Sequence, residues 1–214
     1  MLKVLESENS IVNNLLSELR DKSTQKNRLI FESNIEKLGA ILAFESSKLL
    51  HYEDITVETP LASKKIQVLK DDVVLATVLR AGLPLLKGVS TLYKNSDQAF
   101  ISASRSEGTN DVTIDLSYLA SPVLDDKVLI MVDTMLATGK SLVESYNALV
   151  NKAGEPKKII ILSVIASQPG LDYVSEKLPN VEIITCSLDK ELNEDFYIVP
   201  GLGDAGDLHF GSKV

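Results

Sequence analysis

The stretch Val132-Asp133-Thr134-Met135-Leu136-Ala137-Thr138-Gly139-Lys140-Ser141 decides how the rest of the chain is read. It follows the short apolar run Val128-Leu-Ile-Met-Val132, which reads as a strand that breaks at Asp133. Downstream, Leu142, Val143, Tyr146, Leu149 and Val150 recur on one face of a helix beginning near Lys140. A strand thus delivers an acid at its tip and a small-residue turn runs into a helix. Amides at a helix start have no intrahelical partner and the dipole is positive there, so such a turn suits a phosphate. Ala137 and Gly139 let the backbone approach, Thr138 and Ser141 add hydroxyl donors, and Asp133 can accept hydrogen bonds from sugar hydroxyls. Gly139-Lys140-Ser141 resembles the end of a P-loop, but the earlier glycine of G-x-x-x-x-G-K-S would fall at Thr134. The bland alternative is an ordinary strand-to-helix turn capped by Ser or Thr.

Similar units lie on both sides. Val73 to Leu79 is a β-branched apolar run that ends at Arg80-Ala81-Gly82, with Leu85, Leu86 and Val89 at helical spacing after it. Lys158 to Ile165 is another run, followed by Pro169-Gly170 and a short helix to Leu178, and Val181 to Thr185 is a further strand. Ile55-Thr-Val57 alternates like a strand. Fully apolar strands alternating with helices predict an α/β fold: a mainly parallel twisted sheet flanked by helices, with ligands at the carboxyl ends of its strands. The first fifty residues read as a helical arm. Ile11, Val12, Leu15, Leu16 and Leu19 give one helix, and Ile35, Leu38, Ile41 and Leu42 give a second that Ser23-Thr24 can cap. One domain over 1–214 is expected, with an arm at 1–50, an α/β core at 55–187 and a C-terminal segment at 196–214.

Twenty-two Lys and Arg against thirty Asp and Glu give a net charge of −8 over 214 residues. That balance argues against wrapping nucleic acid or sitting on anionic lipid. A polyanionic ligand must then meet a local basic or amide-lined site with a metal counter-charge. The lone Cys186 excludes an internal disulfide and points to a reducing compartment and a small buried side chain. The N-terminus lacks a signal peptide's apolar centre and no apolar run is long enough to span a bilayer, so a cytoplasmic protein is expected. His51 and His209, the only histidines, assemble no nucleophilic triad or paired-histidine metal site.

Near the C-terminus, Gly201-Leu202-Gly203-Asp204-Ala205-Gly206-Asp207 spells G-x-G-x-x-G, but no strand–helix–strand unit surrounds it. Apolar residues from Phe196 to Val199 before it, and Leu208 and Phe210 after it, anchor an ordered loop with exposed amides and carbonyls. Such a loop suits a small planar ligand. Arg80 sits at a strand end where Ala81-Gly82 lets a ligand approach. Arg105 lies in Ser104-Arg-Ser-Glu-Gly-Thr-Asn-Asp111, a hairpin tip by composition or a flap that closes on an anion.

Taken together these segments resemble the uracil phosphoribosyltransferases of the type I phosphoribosyltransferase fold. The family's D-P-x-L-A-T-G-G-S is present as Asp133 to Ser141, its Y-I-[IV]-P-G-L-G-D-A-G-D stands intact from Tyr197 to Asp207, and its L-R-A-G-L loop is Leu79 to Leu83. The resemblance implies transfer of the phosphoribosyl group from 5-phosphoribosyl 1-diphosphate to uracil, giving UMP and diphosphate. By position it implies that Asp133, Thr134, Met135, Leu136, Ala137, Thr138, Gly139, Lys140 and Ser141 bind the phosphoribosyl part, with Asp133 on the ribose hydroxyls. Arg80 and Arg105 would contact the diphosphate, and Asp204 would reach the same substrate. Ile198, Gly203, Asp204 and Ala205 would hold uracil, and Asp133, Arg105 and Asp204 would be the catalytic residues. Mg2+ would be carried by substrate diphosphate and water, with no direct protein ligand. GTP as an effector and a homodimer or larger homo-oligomer also belong to what the resemblance implies. Thr134 stands where the family has Pro, Lys140 where it has a second Gly, and no aromatic residue precedes Arg105. A uridine-nucleotide-sensing regulator of the same fold that binds RNA is the alternative, which the acidic balance disfavours.

Overall fold

In the computed structural model, residues 1–102, 104–105, 112–113 and 118–212 are described, and their elements follow one another as β1 (Leu2–Val4), a 3-10 turn (Leu5–Ser7), α1 (Ile11–Arg20), α2 (Arg28–Ser47), β2 (Tyr52–Glu58), β3 (Ser63–Leu69), β4 (Val73–Leu79) and α3 (Leu83–Ser90). Then come β5 (Asp97–Ser102), β6 (Ser104–Arg105), β7 (Val112–Thr113), β8 (Leu119–Ala120), β9 (Val128–Leu136), α4 (Lys140–Ala153) and β10 (Lys158–Ser167). The last are α5 (Gln168–Lys177), β11 (Glu182–Asp189), β12 (Glu191–Leu192), β13 (Ile198–Val199) and α6 (Ala205–Phe210).

Seven strands form one sheet in the order β1-β11-β10-β9-β4-β5-β8. Every neighbouring pair is parallel except β5 with β8. The apolar runs follow from burial on both faces, because successive side chains of a strand point opposite ways. Val73, Leu75, Val128 and Ile130 pack with α1, α2 and α3, whereas Val74, Ala76, Leu129 and Met131 pack with α4 and α5. The mainly parallel sheet flanked by helices is therefore as the sequence implies. From β4 the chain steps through α3 to β5 on one side, and from β9 it steps through β10 to β11 on the other. The order reverses between β4 and β9, and the crevice at such a reversal is where open sheets of this type take ligands.

Several local expectations need correction. Val12, Leu15, Leu16, Leu19, Phe31, Ile35 and Leu38 are buried in the core, so the helical arm of residues 1–50 packs over one face of the sheet. Ile11 is the exception and stays exposed. β1 adds an edge strand beside β11 that its three-residue length hides from any periodicity argument. β9 does not break at Asp133 but runs to Leu136, because its ladder with β10 continues through Asp133, Met135 and Leu136. Cys186 lies within β11 instead of after it, and burial pushes its thiol pKa up, in keeping with a packed, unreactive side chain. Pro169 and Gly170 do not interrupt structure but open α5, where Ser167 Oγ accepts from Gly170 N at 2.9 Å. Among the described residues, no helix is long and apolar enough to cross a membrane.

The cap of α2 is Asn27, not Ser23-Thr24. Its side-chain oxygen accepts from Leu29 N at 3.2 Å and Ile30 N at 3.3 Å, while Ser23 is taken up by Asp21. Asn27→Ala should cost about 1 kcal/mol and lower the melting temperature by about 2–4 °C. A calorimetric midpoint identical to the parent's would mean that water replaces the cap without loss.

Candidate active site

A cavity of about 950 Å3 opens at the topological reversal, over the carboxyl ends of β4, β5 and β9. Val78, Leu79, Arg80 and Ala81 line it from the end of β4, Ser102 from β5, and Asp133, Met135, Ala137 and Ser141 from β9 and the start of α4. The C-terminal segment supplies the facing wall through Phe196, Tyr197 and Ile198 and then Gly203, Asp204, Ala205 and Gly206. Two segments about seventy residues apart in sequence thus face one space.

Two buried hydroxyls set the strand tips relative to each other. Thr77 Oγ1 donates to Val132 O at 3.1 Å, and Thr134 Oγ1 donates to Ala81 O at 2.8 Å. Arg80 and Asp133 are each next to one of these ties, so their spacing follows from the sheet. Asp133, Met135 and Ala137, at every second residue, line the cavity. Thr134 and Leu136 turn away, Thr134 to tie β9 to Ala81 and Leu136 into the core beside α4. Their side chains therefore point away from the cavity, which leaves main-chain groups as what these two positions could offer a ligand. The alternation of a strand that continues past Asp133 is the reason.

The phosphate turn then bends into α4 through Gly139, whose φ of +74° is a left-handed conformation that side chains disfavour. A Cβ there would also lie 2.7 Å from Val174 Cγ2. Gly139 offers no capping side chain, Thr138 Oγ1 accepts from Lys140 N at 3.4 Å, and the turn stands at the positive dipole end of a fourteen-residue helix, which favours an anion. Thr138, Gly139 and Lys140 flank the cavity without lining it, whereas Ser141 does line it.

Across the cavity, Arg80 is exposed and stands 3.9 Å from Asp207, with its guanidinium 5.5 Å from the centre of the Phe210 ring. Asp204 caps α6 by accepting from Asp207 N at 3.0 Å. Residues 205–210 are thus helical, so the end of the ordered loop expected at 201–207 is taken up by α6. Ile198, Gly203, Asp204 and Ala205, the residues that the resemblance implied for uracil, all line the cavity. Arg105 lies in β6, opposite Val112 of β7, so an antiparallel hairpin follows β5 and the cavity-lining Ser102. The Arg105 side chain and residues 106–111 of the expected flap lie outside the described residues. His51 is elsewhere, paired with Asp71, and His209 packs edge-on against Phe210 without lining the cavity.

A uracil phosphoribosyltransferase family model matches residues 6–212. Curated relatives named uracil phosphoribosyltransferase include one from Porphyromonas gingivalis, 45% identical over 212 residues and covering 98% of both chains. Another, from Thermococcus gammatolerans, is 39% identical over 203 residues, covering 94% of this chain and 89% of its own length. The chain belongs to the uracil phosphoribosyltransferase family. The solved structure of a protein from Aquifex aeolicus matches the whole of both chains with a TM-score of 0.90 at 29% identity. A hypoxanthine-guanine phosphoribosyltransferase from Bacillus anthracis shares the fold, with a TM-score of 0.51 at 14% identity over 76% of this chain and 80% of its own.

For this member of the uracil phosphoribosyltransferase family, several cavity residues escaped sequence reasoning in any site role. Val78 and Ser102 carry no signal beyond their neighbours, Phe196 stood out only as an apolar anchor, and Tyr197 and Gly206 were legible only within the C-terminal motif. Asp207, the last residue of the intact C-terminal motif, stands across from Arg80 and was legible only as part of that motif.

Proposed function

We propose that this chain transfers the phosphoribosyl group of 5-phosphoribosyl 1-diphosphate to uracil, releasing UMP and diphosphate, in keeping with its family. The observation that carries this reading is the single cavity that faces the Asp133–Ser141 phosphate turn on one side and the Gly203–Gly206 segment on the other. A sugar phosphate on the first and a planar base on the second bring the anomeric carbon and a base nitrogen together. Most of the barrier can then be met by alignment and by electrostatic complementarity.

As the bond from the anomeric carbon to the diphosphate breaks and the bond to uracil N1 forms, with the N1 proton leaving to the departing diphosphate or to water, positive charge builds on the sugar. Asp133 supplies a carboxylate beneath it and holds the ribose hydroxyls. Arg80 and Arg105 take the diphosphate, whose negative charge grows as it leaves. Ser141 and the amides of the phosphate turn hold the 5′-phosphate. Main-chain groups of Ile198, Gly203 and Ala205 read the two carbonyls and the N–H of uracil. A neutral hydrogen-bonding site of this kind rejects cytosine, whose amino group would face a donor.

The oxygen donors here suit Mg2+, which keeps several waters and joins substrate phosphates with few carboxylates. Asp133 and Asp204 would hold it through water. Bound to the diphosphate, the ion supplies positive charge to the leaving group. A homodimer or larger assembly is supported by the β2–β3 hairpin, where Tyr52, Ile55, Leu61, Ile66 and Leu69 are all exposed. Light scattering measures that assembly, and activation by GTP is read by repeating the assay below with GTP present. A cytoplasmic setting is in keeping with the free Cys186.

The test is diphosphate release from 5-phosphoribosyl 1-diphosphate and Mg2+ with uracil, cytosine, hypoxanthine or orotate. Release with uracil alone is expected. Release with another base instead would overturn the assignment of the C-terminal segment, and RNA binding that weakens steeply with salt, without any release, would favour the regulator. Asp204→Asn keeps the cap of α6 and removes one charge from the cavity. It should raise KM for 5-phosphoribosyl 1-diphosphate by about tenfold with an unchanged melting temperature. Parent-like kinetics in that variant would take Asp204 out of substrate binding.

A further inference from the structure

The segment that faces the base is held from behind by charged groups outside the cavity. Arg20, the last residue of α1, donates from Nη1 to Gly201 O at 2.8 Å and to Asp189 Oδ2 at 2.8 Å. Its Nη2 donates to Asp189 Oδ1 at 2.9 Å and to Ser187 Oγ at 2.6 Å. Asp189, at the end of β11, accepts in turn from Gly201 N at 2.9 Å. Both backbone polar groups of Gly201 are thereby taken up by one guanidinium–carboxylate pair. The Asp189 side chain is 8% exposed and that of Arg20 is 23% exposed. Glu6 braces the far side, accepting from Ser187 Oγ at 2.7 Å and Leu188 N at 3.0 Å. Gln25 Nε2 adds a bond to Leu202 O at 3.2 Å.

Gly203 and Asp204 follow at once and line the cavity. A glycine-rich stretch has the most backbone freedom of any, so amides that read a base must be fixed by something outside the stretch. A planar fork bonded twice to a carboxylate fixes position and orientation together, which a single ammonium does not. A buried ion pair of this kind adds little net stability compared with apolar packing. What it does specify is where the Gly201 amide and carbonyl stand.

We propose that the Arg20–Asp189 pair is a positioning device for the base-reading segment, governing uracil binding and base selection while leaving 5-phosphoribosyl 1-diphosphate binding unchanged. The inference rests on the function proposed above. Its two residues touch neither substrate, so they act through Gly201 on the groups at 203–205.

Steady-state kinetics of Arg20→Lys, with each substrate varied in turn, test the proposal. Lysine keeps the charge and loses the fork. KM for uracil should rise by about tenfold and discrimination against cytosine should fall, with KM for 5-phosphoribosyl 1-diphosphate within about twofold of the parent. An unchanged uracil KM overturns the proposal, and so does a parallel rise in both KM values, which would mark general loosening. Should Arg20→Lys not fold, the double variant Arg20→Met/Asp189→Leu replaces the pair by apolar side chains of similar size, a change that proteins often tolerate. The same split in KM is expected of it, and parent-like uracil KM in the folded double variant again overturns the inference. Absence of release by the parent chain with uracil would instead overturn the function itself, so the two failures are distinguishable.

Discussion

Replacing Asp133 with Asn should lower kcat by about 10²–10³-fold while leaving the fold intact. The substitution is isosteric, and the hydrogen bond that Asp133 accepts from Met135 N, at 3.4 Å, can be accepted equally by an amide oxygen. What disappears is a negative charge on the cavity wall, which in the proposed mechanism faces the sugar carbon where positive charge develops. Such a charge acts mostly in the transition state, so kcat and kcat/KM should fall together while KM for uracil stays near its parent value. The measurement is steady-state diphosphate release beside a thermal melt. An unchanged rate would remove Asp133 from the mechanism, and a fallen rate with a fallen melting temperature would make its role structural.

Gly88→Ala should be the most damaging change away from the site. Gly88 of α3 and Gly39 of α2 lie where the two helices touch. A Cβ on Gly88 would stand 2.0 Å from Glu36 O, and one on Gly39 would stand 2.6 Å from Leu85 O. Both obstacles are backbone atoms, so no side chain can swing aside, and the helices must separate. The cost should be about 3 kcal/mol, lowering the melting temperature by about 6–12 °C. Because α3 begins two residues after Ala81, any shift in its seat also reaches the Arg80 turn. KM for 5-phosphoribosyl 1-diphosphate should therefore rise in the variant at a temperature where it remains folded. A melting temperature within about 2 °C of the parent would mean that the two helices part without resistance.

How much of this was legible beforehand depends on distance along the chain. The apolar runs at Val73–Leu79, Val128–Val132 and Ile159–Ile165 announce doubly covered parallel strands, because burial on both faces removes the polar alternation and leaves only the buried Thr77 and Ser163. The turn at Ala137–Gly139 and the motif from Tyr197 to Asp207 are continuous segments whose chemistry lies in adjacent residues. Reading them required only local rules of turns, helix starts and glycine. Local rules also misled. Asp133 looked like a strand end because a polar residue interrupts the apolar run, yet the ladder with β10 carries the strand three residues further. Ser23-Thr24 looked like a cap because caps favour such residues, but Asn27 is the residue adjoining the helix.

The class of sheet, the phosphate turn and the C-terminal motif can be read along the chain, since each depends on neighbours that the covalent chain already holds together. Which of those residues share a space follows from the folded arrangement alone. The Thr134 tie to Ala81 spans 53 positions, and the Arg20 bonds to Asp189 and Gly201 span 169 and 181. No periodicity or spacing encodes such pairs. They form because the strand order reverses between β4 and β9, and because α1 packs where its last residue reaches the end of β11. Both are consequences of burying two faces of one sheet at once.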